Sequence, residues 1–399
     1  MEELTLDNVY KARFALKDVA IQTDILYAPK LAKGTELYLK TENLQITGSF
    51  KVRGAYYKMS KLSPEEKKRG VIACSAGNHA QGVALAATKN GIKSLICLPD
   101  SAPISKVEAT KGFGAEVCLV EGCYGDAYQK ALELKESEGY TFVHPFDDEN
   151  VIAGQGTVAL EILNDLDDID AIVVPIGGGG LIAGVAYTVK QIKPEVKVYG
   201  VQVSGAPSMY NSIKDGEIEC LGSVSTIADG IAVKKPGENT FALVKEYVDD
   251  IALVNDDEVS SAILALIEKQ KMIAEGAGAV SVAAAMFHKF PLEGKKVVSI
   301  ISGGNIDVTS LSRVIGRGLR KSGRTASIRI ELMDKPGMLK DVTRIIADQG
   351  GNVTGVEHER GQHENINECF LRIDLETRNF DHIRQIHEAL KAEGIKIIE

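Results

Sequence analysis

The sequence predicts an α/β protein followed by a smaller domain of a different type. Between residue 47 and about residue 320, short apolar runs alternate with stretches of helical periodicity. This alternation is typical of parallel βαβ units with buried strands. After residue 326 the predicted order changes to βαββαβ, the ferredoxin-like plan. The composition fits a globular chain, since 44% of the 399 residues are hydrophobic and 25% are charged.

The elements of the first part follow from apolar runs and capping residues. Ser63 and Glu66 form a capping box around Pro64, which predicts a helix start. Gly91 is expected to close a helix over residues 80–90. Seven strands are predicted, at residues 71–75, 93–99, 115–121, 141–145, 171–176, 196–203 and 296–302.

Three loops of this part are expected to meet. Ligands bind at the carboxyl ends of the strands in open parallel sheets. The loops at residues 75–79, 177–180 and 302–305 each follow a predicted strand. They should therefore converge at one sheet edge.

The chain changes character after the basic, glycine-punctuated segment 317–324. This segment predicts a linker, with residues 321–325 between the α/β region at 1–320 and a domain at 326–399. The domain's strands are predicted at 327–332, 352–360, 368–376 and 395–398, and its helices at 338–349 and 381–392.

Charge and cysteine content exclude several classes of protein. A net charge of −9 argues against a nucleic-acid partner, which needs a basic face. No apolar run reaches the ~18 residues of a membrane span, and residues 1–11 do not form a secretory signal. The six cysteines form no C-x-x-C pair. We therefore expect a cytoplasmic, reduced protein with no cysteine metal site.

The most informative stretch is residues 47–55, where one lysine follows Phe50 at a predicted helix start. Gly48 allows a sharp turn, and Ser49 is expected to cap the first amides. A lysine on such a rigid helix start has little freedom. Lys51 is therefore a candidate functional amine; the alternative is an ordinary solvated charge, because lysines are rarely buried.

A run of four glycines follows the strand at 171–176 and opens a helix: Gly177, Gly178, Gly179 and Gly180. Consecutive backbone amides and the positive end of a helix form a phosphate site without charged side chains. The pattern Gly178-x-Gly180-x-x-Ala183 also matches a dinucleotide fingerprint. That fingerprint needs an acid after the next strand, where this chain has Gln202. A monophosphate fits better than a dinucleotide.

Together these motifs resemble the fold-type II enzymes that use pyridoxal 5'-phosphate (PLP), and within them the threonine dehydratases (threonine ammonia-lyases). The resemblance rests on Thr-Gly-Ser-Phe-Lys-x-Arg-Gly-Ala at 47–55, Ser-Ala-Gly-Asn-His-Ala-Gln-Gly at 75–82 and the glycine run, with Ser-Gly-Gly-Asn at 302–305 as a weaker motif. Residues 326–399 are similar to ACT domains, which indicates the medium-length form with one regulatory domain.

The resemblance implies a catalytic region at 1–320 that is similar to the tryptophan synthase β fold. A small subdomain at roughly 53–150 would be inserted in a large subdomain formed by 1–52 and 151–320. The implied chemistry is dehydration and deamination of L-threonine to 2-oxobutanoate and ammonia, and more slowly of L-serine to pyruvate.

The resemblance also assigns roles to residues. Lys51 would be the Schiff-base anchor of PLP and the base for the α-proton, with Phe50 beside the cofactor. Asn78 would bind the 3-oxygen of the ring, and Ser302 would lie at the pyridine nitrogen. The phosphate would be held by Gly177, Gly178, Gly179, Gly180 and the amide of Leu181. The substrate carboxylate would be bound by Ser75, Ala76, Gly77 and His79.

Two departures separate the chain from the similar serine racemases. Racemases carry a serine where this chain has Ala76, which cannot hold a proton. They also bind a divalent cation through carboxylates at positions that correspond here to Gln202 and Ser208, and hard cations need such ligands. We therefore expect a dehydratase with no metal.

Three further residues have alternative interpretations. We expect His79 to organise its loop rather than to carry a proton, and His144 to form hydrogen bonds at a strand end. Glu275 stands at a predicted helix start, where an acid complements the helix dipole. Under the family resemblance it could instead face the cofactor.

Other functions remain open at this point. The chain could be a serine dehydratase or a diaminopropionate-type lyase, or it could be an amino-acid sensor that binds without turnover. The resemblance to ACT domains suggests isoleucine or valine as the effector, and a homodimer or homotetramer as the assembly.

Overall fold

The structure is a computed structural model that describes residues 4–360 and 367–398. The chain divides into two compact units, Met1–Leu311 and Ser312–Glu399, and each is described by itself. The predictions for residues 1–11 and for the domain at 326–399 fall partly outside the described residues. Among the described residues, no helix is both long and apolar enough to cross a membrane.

The first unit holds two sheets. Its strands in the described part are β1 (Ile25–Tyr27), β2 (Glu36–Lys40), β3 (Val71–Cys74), β4 (Ser94–Pro99), β5 (Glu116–Val120), β6 (Thr141–Phe142), β7 (Ala171–Pro175), β8 (Lys197–Val203), β9 (Asp250–Val254) and β10 (Lys296–Ile300). The larger sheet has the order β1-β2-β10-β7-β8-β9, and the smaller one β5-β4-β3-β6. All neighbouring strands are parallel except β1 and β2.

Helices connect these strands, as the βαβ pattern predicts. They are α1 (Leu6–Ala15), α2 (Lys51–Ser60), α3 (Pro64–Arg69), α4 (Asn78–Asn90), α5 (Ile104–Gly112), α6 (Tyr124–Glu138), α7 (Glu149–Asp165), α8 (Gly180–Ile192), α9 (Ser208–Asp215), α10 (Glu238–Tyr247), α11 (Asp256–Ala265) and α12 (Gly276–Met286). Ser63 and Glu66 form the predicted capping box of α3. Gly91 closes α4 in the left-handed conformation, at φ 65°.

All seven predicted strands are present, and three further strands were not predicted. β1 and β2 pair at one edge of the larger sheet, and β9 forms the other edge. β1 has only three residues, and β2 mixes charged and apolar side chains. β1 and β2 lack the continuous apolar runs of the central strands, which are the signal for a buried parallel strand. β9 carries such a run at residues 251–254, which the prediction overlooked.

The expectation of one shared sheet edge was wrong in one respect. β3, which precedes the loop at 75–79, belongs to the smaller sheet, whereas β7 and β10 belong to the larger sheet. Apolar runs identify strands but not the sheet that each strand joins. The site is therefore assembled from the ends of strands in two sheets.

A buried ionic network joins β2, α2 and α7. Arg53 on α2 is 1% exposed and forms ion pairs with Glu42 (Nε–Oε2 2.8 Å) and Glu161 (Nη1–Oε1 2.6 Å). Lys40 at the end of β2 also binds Glu161, at 2.6 Å between Nζ and Oε2. Burial alone would raise the pKa of Glu42, but the charge and hydrogen bonds of Arg53 lower it. The charges of two cations and two carboxylates thus neutralise one another in the interior.

The second unit has the ferredoxin-like order predicted from the sequence. It contains β11 (Thr325–Met333), α14 (Met338–Asp348), β12 (Asn352–Glu359), β13 (Glu368–Glu376), α15 (Phe380–Ala392) and β14 (Lys396–Ile397). The antiparallel sheet has the order β12-β13-β11-β14. Apolar residues of this sheet and its two helices form a core of their own.

The linker prediction at 317–324 was wrong for its first residues. Helix α13 (Val308–Lys321) runs through them, and β11 begins at Thr325. The division between the two units falls inside this helix, after Leu311. Val314 and Gly318 are buried, and the helix forms although each of its two glycines, Gly316 and Gly318, costs roughly 1 kcal/mol.

Replacing Arg53 with methionine should destabilise the first unit strongly. It would leave Glu42 and Glu161 buried with one cation fewer, which typically costs about 3–5 kcal/mol. Urea denaturation measures the change in the free energy of unfolding. The control is Lys111→Met, because Lys111 forms an exposed pair with Glu108 and such pairs contribute about 0–1 kcal/mol. Equal losses in the two variants would contradict this account.

Candidate active site

Lys51 is the first residue of α2, and its amine is enclosed although the residue as a whole is only partly buried. Nζ donates to the carbonyl oxygen of Pro145 at 2.8 Å and lies 5.2 Å from the centre of the Phe50 ring. Burial lowers the pKa of Lys51 to about 8, against the opposing charge of Glu275. A fraction of the amine is therefore neutral near neutral pH, as a nucleophilic lysine requires.

The turn before Lys51 is fixed by the loop after β10. Gly48 has φ 67°, and an added Cβ would overlap the side-chain oxygen of Asn305. Ser49 forms a β-bridge with Gly303, and the amide of Phe50 donates to the oxygen of Ser302 at 3.2 Å. The turn is thus held on the end of the larger sheet.

The predicted cap by Ser49 is wrong. Phe50 occupies the N-cap position of α2, and it makes no side-chain hydrogen bond there. Ser49 lies one residue too early, is fully buried, and its hydroxyl has no hydrogen-bond partner among the described residues. Such an unpartnered buried hydroxyl in a site suggests a ligand or water contact.

The glycine run packs closely on the segment that contacts Lys51. A Cβ at Gly178 would overlap the ring of Phe146, and one at Gly180 would lie 2.9 Å from Phe146 atoms. Gly179 has φ 100° and is the N-cap of α8. Thr240 donates its hydroxyl hydrogen to the oxygen of Gly178 at 2.6 Å, which fixes one peptide of the loop. Only glycine fits this backbone, and Leu181 follows in the first turn of α8.

The loop after β3 forms the start of α4. The hydroxyl of Ser75 accepts from the amide of Gly77 at 3.2 Å, and Ser75, Ala76 and Gly77 are all partly exposed. His79 is 4% exposed, and its ring Nε2 lies 2.8 Å from the oxygen of Val143. Since a carbonyl only accepts, Nε2 must carry the hydrogen. Burial, with help from the charge of Lys51, lowers the pKa of His79 to about 3.

His79 therefore organises its loop as a neutral residue. His144 behaves similarly, since its Nδ1 accepts from the amide of Asp147 at 2.7 Å. Each ring uses a nitrogen to hydrogen-bond the backbone, and neither is assigned a role as an acid or a base.

Asn78 links the two sheets through hydrogen bonds. Its Nδ2 donates to Glu275 Oε1 at 2.6 Å, and its Oδ1 accepts from Asn305 Nδ2 at 2.7 Å. Glu275 is 5% exposed, and burial raises its pKa to about 7. The hydroxyl of Ser302 is buried and donates to the oxygen of Ala277 at 3.3 Å. Asn305 is a further site residue, whose contact with Asn78 is not apparent from its place in the motif at 302–305.

Gln202 and Ser208 are both fully buried. The oxygen Oε1 of Gln202 accepts from the amide of Tyr210 at 2.7 Å. Nε2 of Gln202 and Oγ of Ser208 have no hydrogen-bond partner among the described residues. Neither of these two side chains is a carboxylate, so neither offers a charged oxygen to a divalent cation.

The predicted residues thus meet around Lys51. The segment Pro145–Phe146 joins Lys51 to the glycine loop, and Asn78 joins the loop after β3 to the loop after β10. The donor set contains an amine with a lowered pKa, a helix start lined by glycines, and buried amide and hydroxyl groups. This set fits PLP, which needs an amine for its aldehyde, backbone amides for its phosphate and polar partners for its ring.

Two family models match the sequence. The model described as pyridoxal-phosphate dependent enzyme matches residues 16–303, and the ACT domain model matches residues 326–392. The first match contains Lys51, Asn78, the glycine run and Ser302, and the second falls within the ferredoxin-like unit.

Named relatives match over most of the chain. The L-threonine ammonia-lyase of Thermotoga maritima is 50% identical over 397 residues, which are 99% of each chain. The catabolic L-threonine dehydratase TdcB of Escherichia coli is 46% identical over 318 residues, or 78% of this chain and 96% of that one.

Solved structures agree with these matches. The processed threonine deaminase isoform 2 of Solanum lycopersicum has a TM-score of 0.74 and 42% identity, and the match covers 78% of this chain and 93% of that one. Maize serine racemase has a TM-score of 0.75 and 34% identity, with 80% and 99% covered. The chain therefore belongs to the pyridoxal-phosphate dependent enzymes of fold type II, and within them to the threonine ammonia-lyase family with a C-terminal ACT domain.

Proposed function

We propose that this protein converts L-threonine to 2-oxobutanoate and ammonia, and L-serine more slowly to pyruvate and ammonia. The observation that carries the proposal is the enclosed amine of Lys51, with a pKa of about 8, beside a glycine-lined helix start. The 50% identity to an L-threonine ammonia-lyase across 99% of the chain supports the choice of substrate.

Bound PLP supplies an electron sink next to the α-carbon of the amino acid. These residues would hold it in place: the amides of Gly177, Gly178, Gly179, Gly180 and Leu181 would bind the phosphate, Asn78 the 3-oxygen of the ring and Ser302 the ring nitrogen, with Phe50 beside the ring. Ser302 is a neutral hydroxyl rather than a carboxylate, so it does not keep the ring nitrogen protonated. This arrangement suits β-elimination better than transamination.

Lys51 is the base in this proposal. Displaced by the substrate amine, Lys51 Nζ takes the α-proton, which its lowered pKa favours near neutral pH. The hydroxyl of Ser75 and the amides of Ala76, Gly77 and His79 would bind the substrate carboxylate at the start of α4, and the carboxylate would replace Ser75 as the acceptor for the amide of Gly77. The imidazole of His79 stays neutral, because its pKa of about 3 lies far below the working range.

Ala76 argues against a racemase. Racemisation needs a second acid or base on the other face of the substrate, and a methyl group cannot fill that role. Gln202 and Ser208 also bring no carboxylate, which supports activity without a divalent cation. Interconversion of L-serine and D-serine by the purified protein would contradict this part of the proposal.

Two other functions are less well supported. A diaminopropionate-type lyase matches this chain at only 20% identity, which indicates a common fold alone. A pure amino-acid sensor would have no need for an enclosed amine with a lowered pKa. We also propose a cytoplasmic location, supported by six cysteines that are all free thiols.

Replacing Lys51 with alanine should remove both the covalently held cofactor and turnover. The measurements are the absorbance of the cofactor in the purified protein and a ketoacid assay with L-threonine and L-serine. The matched control is Lys58→Ala, because Lys58 lies on the same helix but pairs with Asp148 at 2.6 Å. A Lys51 variant that still turns over threonine would overturn the assignment.

Replacing Gly178 with alanine should weaken PLP binding roughly tenfold, because overpacking against Phe146 costs about 1–3 kcal/mol. Titration of the apoenzyme with PLP measures the dissociation constant. The control is Gly112→Ala, where an added Cβ meets no atom within 4 Å among the described residues. Unchanged affinity in the Gly178 variant would show that the phosphate lies elsewhere.

The ACT domain suggests regulation by an amino acid, and isoleucine or valine is our proposed effector. We further propose a homodimer or a homotetramer. Adding isoleucine or valine should shift the rate with L-threonine or the distribution of oligomers, measured by steady-state assay and by size-resolved light scattering. L-lysine serves as the control amino acid. If neither isoleucine nor valine changes either quantity, the effector assignment is wrong.

A further inference from the structure

A chain of hydrogen bonds fixes the side chain of Asn78. It starts at the backbone oxygen of Thr47, which accepts from Asn305 Nδ2 at 2.7 Å. The same nitrogen donates its second hydrogen to Asn78 Oδ1 at 2.7 Å. Asn78 Nδ2 then donates to Glu275 Oε1 at 2.6 Å.

The direction of this chain follows from its first member. A backbone carbonyl only accepts, so Asn305 must present its NH₂ group to Thr47. The same NH₂ group then faces Asn78, so Asn78 must present its oxygen there. Its nitrogen consequently faces Glu275, and a carboxylate accepts that hydrogen. One hydrogen of the Asn78 amide is used and one remains.

We propose that Glu275 and Asn305 are positioning residues that hold the Asn78 amide in one orientation, with its second N–H free for the 3-oxygen of the PLP ring. This inference rests on the proposed role of Asn78 in cofactor binding. A free asparagine amide can turn over and present its oxygen instead, which would repel the ring oxygen. The two flanking residues prevent that rotation.

The surroundings of Glu275 indicate that a carboxylate at this position does not stabilise the fold. A Cβ at Gly303 would overlap Oε1, so a glycine is needed there for the carboxylate to fit. The nearby charges are Asp229, which opposes ionisation, and Lys106 and Lys51, which favour it. Lys106 itself pairs with Asp229 at 2.9 Å. Burial has the largest effect and raises the pKa of Glu275 to about 7.

A buried carboxylate of this kind is costly to the fold. Because the pKa rises from 4.5 to about 7 on folding, ionisation of Glu275 lowers the stability of the protein as the pH increases through this range. A glutamine would have nearly the same shape and would avoid the cost. Stability therefore does not explain this residue, whereas the positioning role needs an acceptor for the Asn78 amide, which Glu275 supplies at 2.6 Å.

Three variants test the proposal. Glu275→Gln keeps an acceptor for Asn78 without the charge, and Glu275→Leu removes the acceptor. Asn305→Asp presents only acceptors to Asn78 and favours the reversed amide. The control is Glu258→Gln, because Glu258 forms the capping box of α11 and is not one of the residues hydrogen-bonded in series from Thr47 to Glu275.

The first readout is PLP affinity, measured by titration of each apoenzyme. Glu275→Leu and Asn305→Asp should weaken binding by about tenfold, the equivalent of one lost hydrogen bond, while Glu275→Gln should stay within about threefold of the wild type. The second readout is urea denaturation of the apoenzyme above pH 7, where Glu275→Gln should raise the unfolding midpoint.

Two results would overturn the proposal: wild-type PLP affinity in Glu275→Leu, or a fall in the unfolding midpoint with Glu275→Gln, which would mean that the carboxylate stabilises the fold. A different result would refute the proposed activity alone. If the wild type binds PLP but makes no ketoacid from threonine or serine, while Glu275→Leu still loses PLP affinity, the positioning role stands and the substrate assignment falls.

Discussion

The arrangement of the site depends on the buried ionic network of Lys40, Glu42, Arg53 and Glu161. Arg53 lies two residues after Lys51 on the same helix, and its guanidinium is held by carboxylates from two other segments. A buried charge without a partner is too costly to tolerate, so each member of the network restricts the others. The network consequently fixes the start of α2 relative to β2 and α7. Because Lys51 is the first residue of α2, the network also fixes the position of Lys51.

Burial then sets the chemistry of the two ionisable groups nearest the reaction. It lowers the pKa of Lys51 to about 8 and raises that of Glu275 to about 7, so the same cause moves an amine and a carboxyl towards neutral pH from opposite sides. In the proposed mechanism Lys51 is the nucleophile and base, and Glu275 accepts a hydrogen bond from Asn78 at 2.6 Å. The close packing of Gly178 on Phe146 places the glycine loop against the segment that contacts Lys51.

The sequence predicted the parts of this site that depend on local pattern. A few consecutive residues are enough to predict the turn at Gly48, the glycine run and the loop after β3. The contacts between them could not be predicted, because Asn78 and Glu275 are 197 positions apart and Asn78 and Asn305 are 227 apart. Local pattern also gave two errors. The cap was placed one residue early at Ser49, and the glycines of α13 indicated a linker where the structure has a helix.

The central claim is that Lys51 is the residue that holds PLP. Reduction of the purified holoenzyme with borohydride converts a lysine–PLP bond into a stable secondary amine, and digestion followed by mass spectrometry locates it. The account predicts one labelled site, Lys51, in the peptide that contains the turn at Gly48. Label on any other lysine, such as Lys58 on the same helix, or cofactor released without label, would contradict it.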